Sequence, residues 1–314
     1  MHEEKSNGSW RQVSRELVNR KRLALRVTPA AERAIRSGHP WLFAEAIVKQ
    51  SHNGRSGDLA VIFDRKKRFL AVGLYDPASP IRVRILQQGK AAKIDEEWFR
   101  ERVKTAVSHR IPHFDDLTTG YRLIHGENDG LPGLVVDRYD RTLVIKLYTA
   151  AWVPHLEPFL DALTAVGFRK PQRILLRLSR SVAEQTDDLH GLRNGSYLLG
   201  KAVGAVTFLE NGLRFEADIK QGQKTGFFLD QRDNRARVEQ LARSKSVLNV
   251  FSYTGGFSLY AARGGAKRVV SLDLSQPALA TAVRNFKLNN HIKAVANADH
   301  ELMIGDAFRS LTQL

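Results

Sequence analysis

The residues best placed to do chemistry lie in the last third of the chain. Ser246-Val-Leu-Asn-Val-Phe251 is an apolar run of the kind found in buried parallel strands, and Ser252-Tyr-Thr-Gly-Gly-Phe257 follows it directly. Gly255 and Gly256 lack β-carbons, so the sequence predicts close backbone approach to a ligand at a helix N-terminus. Arg268-Val-Val-Ser-Leu-Asp273 reads as a second buried strand ending on an acid. A carboxylate at that strand tip can accept hydrogen bonds from both ribose hydroxyls of a nucleoside. Glu301–Asp306 reads as a third strand, with Asp306 set to accept from an adenine amino group. A nicotinamide dinucleotide would need three spaced glycines around its pyrophosphate, and that spacing is absent. Paired glycines flanked by Phe251, Tyr253 and Phe257 suit a ligand without pyrophosphate, such as S-adenosylmethionine. The plainer alternative is an ordinary strand-to-helix turn.

The elements that must hold these residues follow from periodicity. Strand–helix alternation after residue 246 is the pattern of a parallel α/β sheet. Ser275-Gln-Pro277 supplies a cap and a first-turn proline for a helix running through Asn289. Upstream, Val206–Glu210 and Leu213–Ile219 flank Asn211-Gly212, the dipeptide suited to a tight hairpin turn. Short strands over 58–63, 69–73 and 81–85 predict a small barrel within residues 23–94. Residues 95–203 read as a mixed α+β domain with a helix over Asp95–His109 and strands at Leu134–Asp137, Thr142–Tyr148 and Arg173–Leu178. Ser181–Gly204 shows little periodicity and is expected to be irregular. Residues 1–22 read as a polar, mostly disordered leader with a helical turn near Gln12–Val18. The expected fold is therefore multidomain, α+β and α/β, divided as 1–22, 23–94, 95–203 and 204–314.

Composition narrows the function classes. The 314 residues carry 49 Lys and Arg against 33 Asp and Glu, a formal charge of +16. Such a surplus favours polyanionic partners, because each phosphate neutralised releases condensed counterions. No apolar run reaches the roughly 18 residues needed to span a bilayer, so no membrane partner is expected. With no Cys, the sequence contains neither a disulfide nor a thiolate metal site, and a reducing, cytoplasmic location is the expectation. No metal-ligating set stands out; His109 and His113 are four apart, but Pro112 breaks their helix.

Five motifs carry a resemblance. Gln223-Lys-Thr-Gly-Phe-Phe-Leu-Asp-Gln-Arg-Asp-Asn-Arg235 precedes Val247–Phe257; Ser37-Gly-His-Pro-Trp-Leu-Phe43 and Tyr75-Asp-Pro-Ala-Ser-Pro-Ile81 lie early, and Tyr121–Gly133 lies in the middle. Together they resemble the RlmI-like ribosomal RNA large-subunit cytosine-5 methyltransferases over nearly the whole chain after residue 22. The resemblance implies a PUA-type RNA-binding barrel, a central α+β domain and a class I, Rossmann-like methyltransferase domain that uses S-adenosylmethionine. It implies cofactor contacts from Phe251, Ser252, Tyr253, Thr254, Gly255, Gly256, Phe257, Asp273 and Asp306, with Asp230 and Gln231 beside the same pocket. Read on its own, Asp230 is a helix N-cap, and Arg232 and Arg235 are basic groups facing pocket or RNA. In the barrel, Lys21, Arg22, Arg33, Arg36, the Gly38-His39 turn and the run Arg65, Lys66, Lys67, Arg68 are the expected ribosomal RNA contacts. Trp41 and Phe43 are expected to pack the barrel.

Methylation at cytosine C5 needs a thiolate to add at C6, and the sequence has none, nor an Asp-Pro-Pro segment. The sequence reading therefore expects the catalytic half of the methyltransferase domain to be missing and the chain to be inactive alone. It also expects an open sheet edge that invites a partner, a homodimer among the options. The competing function is an RNA-binding protein with a vestigial methyltransferase fold.

Overall fold

Alternation in the N-terminal third shows in Leu23–Val27 and Leu59–Phe63, which bury every second residue, whereas Phe69–Tyr75 is buried on both faces. A computed structural model describes residues 9–17, 20–166 and 170–312, which divide into two contact units. Residues up to 113 and 122–202 form one; residues 114–121 and 203 onward form the other.

The first unit opens with α1 (Ser9–Leu17), whose Trp10 is 1% exposed. Where the sequence suggests a turn near Gln12 in a mostly disordered leader, the structure has a helix beginning at Ser9: Trp10 and Val13 recur on one face and bury it, which a polar average conceals. Residues 1–8 and 18–19 lie outside the described residues. Next come β1 (Leu23–Val27), α2 (Pro29–Arg36), β2 (Trp41–Phe43), β3 (Ile47–Gln50), β4 (Leu59–Phe63), β5 (Phe69–Tyr75) and β6 (Ile81–Gln88). The six strands form one sheet in the order β2-β6-β5-β4-β1-β3, antiparallel except for the β1–β4 pair. Leu23, Leu25, Ile35, Ile62, Val83 and their neighbours fill its core. Thr28 caps α2 through its hydroxyl, and Pro29 occupies the first helical turn.

Asp95 caps α3 (Glu96–Ser108) by accepting from Trp98 N. Strands β7 (Gly120–His125), β8 (Leu134–Tyr139), β9 (Thr142–Leu147), β10 (Arg173–Leu178) and β11 (Tyr197–Leu199) form a second sheet in the order β11-β10-β9-β8-β7. Helices α4 (Leu156–Ala165) and α5 (Arg180–Ala183) complete this unit. The stretch expected to be irregular therefore holds a short helix and the edge strand β11. Three residues are too few for alternation to register in sequence.

The second unit begins with the hairpin β12 (Val206–Glu210) and β13 (Leu213–Ala217). Asn211 and Gly212 both have positive φ, 48° and 80°, as the tight turn requires. Then follow α6 (Arg232–Leu241), β14 (Ser246–Val250), α7 (Gly256–Arg263), β15 (Arg268–Asp273), α8 (Gln276–Leu288), α9 (Lys293–Ala296), β16 (Asp299–Ile304) and α10 (Ala307–Ser310). Strands β14, β15 and β16 are parallel in that order, with β15 central. β15 is buried on both faces, whereas Leu248 of β14 and Leu302 of β16 are exposed. Among the described residues no helix is long and apolar enough to cross a membrane.

Candidate cofactor site at the strand tips

The carboxyl ends of β14, β15 and β16 converge. After β14 the chain takes left-handed backbone at Phe251 (φ 58°), Tyr253 (φ 48°) and Gly255 (φ 74°). For an aromatic side chain that conformation costs roughly 1–2 kcal/mol, so the surroundings must enforce it. One enforcing contact comes from Asp273: its Oδ2 accepts from Tyr253 N at 2.8 Å, and its Oδ1 from Ser275 N at 2.8 Å. The acid at the β15 tip therefore faces the turn, with further lone pairs on both oxygens. A second contact comes from α8. Asn285, fully buried, donates to Thr254 O at 2.9 Å and accepts from Glu216 N at 2.8 Å, so one amide ties the turn to β13.

The paired glycines act differently from the sequence expectation. A β-carbon on Gly255 would lie 2.7 Å from the Ala282 β-carbon, and one on Gly256 would lie 3.1 Å from Arg235 Cδ. Both glycines are needed for packing against α8 and α6; their bare faces meet protein, which corrects their reading as the point of ligand approach. The turn's unmet polar atoms are side chains. The hydroxyls of Ser252 and Thr254 are buried and have no hydrogen-bond partner. Buried hydroxyls are paired in most structures, so two orphans in one turn fit a polar ligand.

Asp306 follows β16, is exposed, and caps α10 by accepting from Arg309 N at 3.1 Å. Gly305 N donates to Asp273 O at 3.2 Å, which brings the two acid-bearing tips side by side. Phe251 and Phe308 are 68% and 77% exposed, with ring centroids 6.4 Å apart. Leu274 and Ile304 are also exposed there. Apolar side chains beside two carboxylates, outside the carboxyl ends of parallel strands, are the composition of a nucleoside site. Sequence reasoning missed Phe308, whose only signal is an aromatic residue two positions after the tip acid.

The Gln223–Arg235 motif lies against this turn. Tyr253 Oη accepts from Gln223 N at 3.1 Å, and Phe228 meets the Tyr253 ring edge-on at 5.4 Å. Asp230 is corrected as a cap: it sits inside a 3-10 turn and accepts from Lys224 Nζ at 2.7 Å and from Gln231 Nε2. Burial pushes the Asp230 carboxyl up, but the Lys224 ammonium together with bonds from its own backbone and Gln231 holds it below the usual range. Arg232 pairs with Asp233 and lies over the Phe114 ring. Arg235 is corrected as an RNA contact. Its side chain is 2% exposed and forks onto Glu210, which is 0% exposed, with both oxygens at 2.7 Å. It also donates to Phe228 O at 3.0 Å.

In the first unit, Arg33 is exposed on α2, and Arg36 and the run Arg65–Arg68 gather around two acids. Arg36 and Arg68 reach Asp64 at 3.0 and 2.9 Å, and Glu32 accepts from Arg65 N and from Arg36. Chiefly the Arg68 N–H, and further bonds from the same cations, hold Asp64 below the ordinary carboxylate range. Lys66 and Lys67 stay exposed on the β4–β5 turn. Lys21 and Arg22 lie apart from this cluster, at an 800 Å³ cavity also lined by Asp58, Asp95 and His155. Gly38 takes φ 97°, and His39 accepts from Trp41 N through Nδ1 at 3.2 Å. Trp41 and Phe43 are corrected as core residues: both are solvent-accessible, and with His39 they form a surface trio of rings 5.9–6.4 Å apart.

Comparison with known proteins fits this geometry. Residues 25–88 match a family model described as a PUA-like domain, and residues 188–313 match one described as an S-adenosylmethionine-dependent methyltransferase. Two solved chains described as methyltransferases, one from Streptococcus mutans and one complexed with SAH, superpose with TM-scores of 0.75 and 0.77. Each is 24% identical and covers 92% of this chain and 72% of its own, a likeness that establishes the fold. The class is thus a PUA-containing, S-adenosylmethionine-dependent methyltransferase.

A curated relative from Deinococcus radiodurans, a ribosomal RNA large subunit methyltransferase, is 52% identical over 297 residues, covering 92% of this chain and 71% of its own length. A ribosomal RNA large subunit methyltransferase I from Pseudoalteromonas translucida is 39% identical over 260 residues, covering 82% and 65%. The chain belongs to the ribosomal RNA large subunit methyltransferase family. These alignments do not support the expectation that the chain lacks half of its catalytic domain.

Proposed function

We propose that these 314 residues supply the cofactor and RNA sites of an S-adenosylmethionine-dependent methyltransferase of large-subunit ribosomal RNA, whose product is 5-methylcytosine. The observation that carries the cofactor half is the Asp273 carboxylate, turned onto the left-handed Phe251–Gly255 turn with its outer lone pairs free for ribose hydroxyls. Ser252 and Thr254 supply hydroxyls, and Phe251 and Phe308 offer ring faces for adenine. The cofactor supplies an electrophilic sulfonium methyl. Tyr253 and Asn285 hold the turn, and the Gln223–Gln231 segment walls it. The chain reads as three parts, 23–94, 95–203 and 204–314, with RNA met by the basic cluster of the first.

Attack by cytosine C5 requires a thiolate at C6, later eliminated as the C5 proton leaves. The 314 residues contain no Cys, and Ser or Thr alkoxides are far scarcer at neutral pH. The proposal therefore expects the 314-residue polypeptide alone to bind cofactor and RNA without methylating cytosine. Titration calorimetry with S-adenosylhomocysteine tests the site: the wild type gives a saturable heat, and Asp273→Asn weakens it at least about tenfold. Equal heats would remove Asp273 from the site. RNA binding without any cofactor heat would select the vestigial reading, and labelled methyl in cytosine would overturn the expected inactivity.

A further inference from the structure

A second basic surface lies on the central sheet, away from any residue assigned above. Lys146 of β9 and Arg177 of β10 are direct register partners in a parallel pair, so their side chains leave the same face at adjacent strands. Two cations set opposite each other on a sheet repel, and the nearby Asp137 carboxylate offsets part of that cost for Lys146. Arg122 of β7 adds a third cation, its guanidinium forked onto Asp137 at 2.9 and 3.1 Å. Burial, and then the Arg177 charge, push the Lys146 ammonium below its usual range. Tyr148, next along the strand face from Lys146, is 44% exposed, and the Lys146 ammonium lies 5.3 Å from its ring centre.

The barrel joins this surface through Arg84, which is itself buried, opposes Trp41 across β2–β6 and donates to Tyr148 O at 3.3 Å. Trp41 is pinned by its indole N–H to Glu127 Oε1 at 2.9 Å, with Phe43 edge-on beside it. Flat rings interleaved with cations match a single-stranded polynucleotide, whose bases stack while its phosphates are neutralised. A duplex keeps its bases stacked inside and has no ring to offer Tyr148.

We propose that Tyr148, Lys146, Arg177 and Arg122, continuous with Trp41 and Phe43, bind an unpaired stretch of RNA. This rests on the ribosomal RNA reading and adds a contact path along the central sheet. Fluorescence anisotropy of a short unstructured oligoribonucleotide and its matched duplex, over a range of salt concentrations, tests it. The single strand binds tighter than the duplex; Tyr148→Ala weakens it about tenfold. Lys146→Ala lowers the slope of log K against log salt by about 0.7 and changes the melting temperature little, because the lost repulsion from Arg177 and the lost attraction to Asp137 oppose each other. Wild-type binding that ignores both substitutions, or that prefers the duplex, overturns this inference while leaving the RNA reading intact. A melting temperature lowered by Lys146→Ala also overturns it, by making the lysine structural. A wild type that binds neither RNA overturns the ribosomal reading itself.

Discussion

Removing the Arg235 guanidinium separates a structural role from an RNA-binding one. Arg235 and Glu210 are 2% and 0% exposed and share two bonds of 2.7 Å. Arg235→Met keeps the aliphatic volume between Phe227 and Phe257 but leaves Glu210 charged and alone in the interior. Breaking one half of a buried pair costs about 3–5 kcal/mol. In a domain of this size that lowers the melting temperature by roughly 6–20 °C. The double variant Glu210→Met/Arg235→Met removes both charges and regains most of the loss, because paired desolvation is relieved together. Arg235→Lys rescues poorly, since an ammonium cannot fork onto both oxygens and Phe228 O. Thermal and urea denaturation read the cycle, and RNA anisotropy on the same proteins keeps an unchanged salt slope. A single variant within about 1 kcal/mol of wild type, or a double variant no better than the single, would refute the buried-pair argument.

Three further outcomes follow from the geometry. His155 and His300 are pushed down to about 4 by burial, against bonds or charges that favour the proton, so both are neutral when folded. The unfolded chain takes up protons below about 6.5; stability is therefore full above that pH and declines as pH falls toward 4, by up to about 3 kcal/mol for His155. Urea midpoints across that window check the slope, which His155→Gln should flatten. Asn285→Ala strands Thr254 O and Glu216 N and costs about 2–4 kcal/mol, and Asn285→Asp costs at least as much at neutral pH, because it buries a carboxylate against the Thr254 carbonyl; losses below about 1 kcal/mol in denaturation would contradict the two-bond account. Phe251→Gly leaves stability unchanged or raised by up to about 1 kcal/mol, because φ 58° no longer carries a side chain, yet weakens cofactor binding in calorimetry. A clear loss of stability would show that the ring packs as structure.

Local signals in the chain were enough for the strands, their caps and the candidate turn. Alternation and apolar runs register over five or more residues, so β15 is readable at Arg268–Asp273, and the Ser275 cap is readable from its type and the proline that follows. Asn211-Gly212 specifies its turn because few other residues tolerate positive φ at both positions. Short or averaged features were not readable: β11 has three residues, and Trp10 is one buried ring in a polar stretch.

Partnership over long separations was decided by the tertiary structure alone. Arg235 meets Glu210 across 25 residues, and Asn285 meets Thr254 across 31. No local pattern tells a buried arginine from a surface one. Gly255 likewise reads as an opening for ligand until Ala282 is found in the space a β-carbon would fill. Residue type and spacing therefore determined the turn after the first parallel strand and the acid at the tip of the next, and the tertiary structure decided that this acid faces the turn. Which polar groups remain for a ligand depended on which were consumed by packing, and packing is a property of the assembled elements.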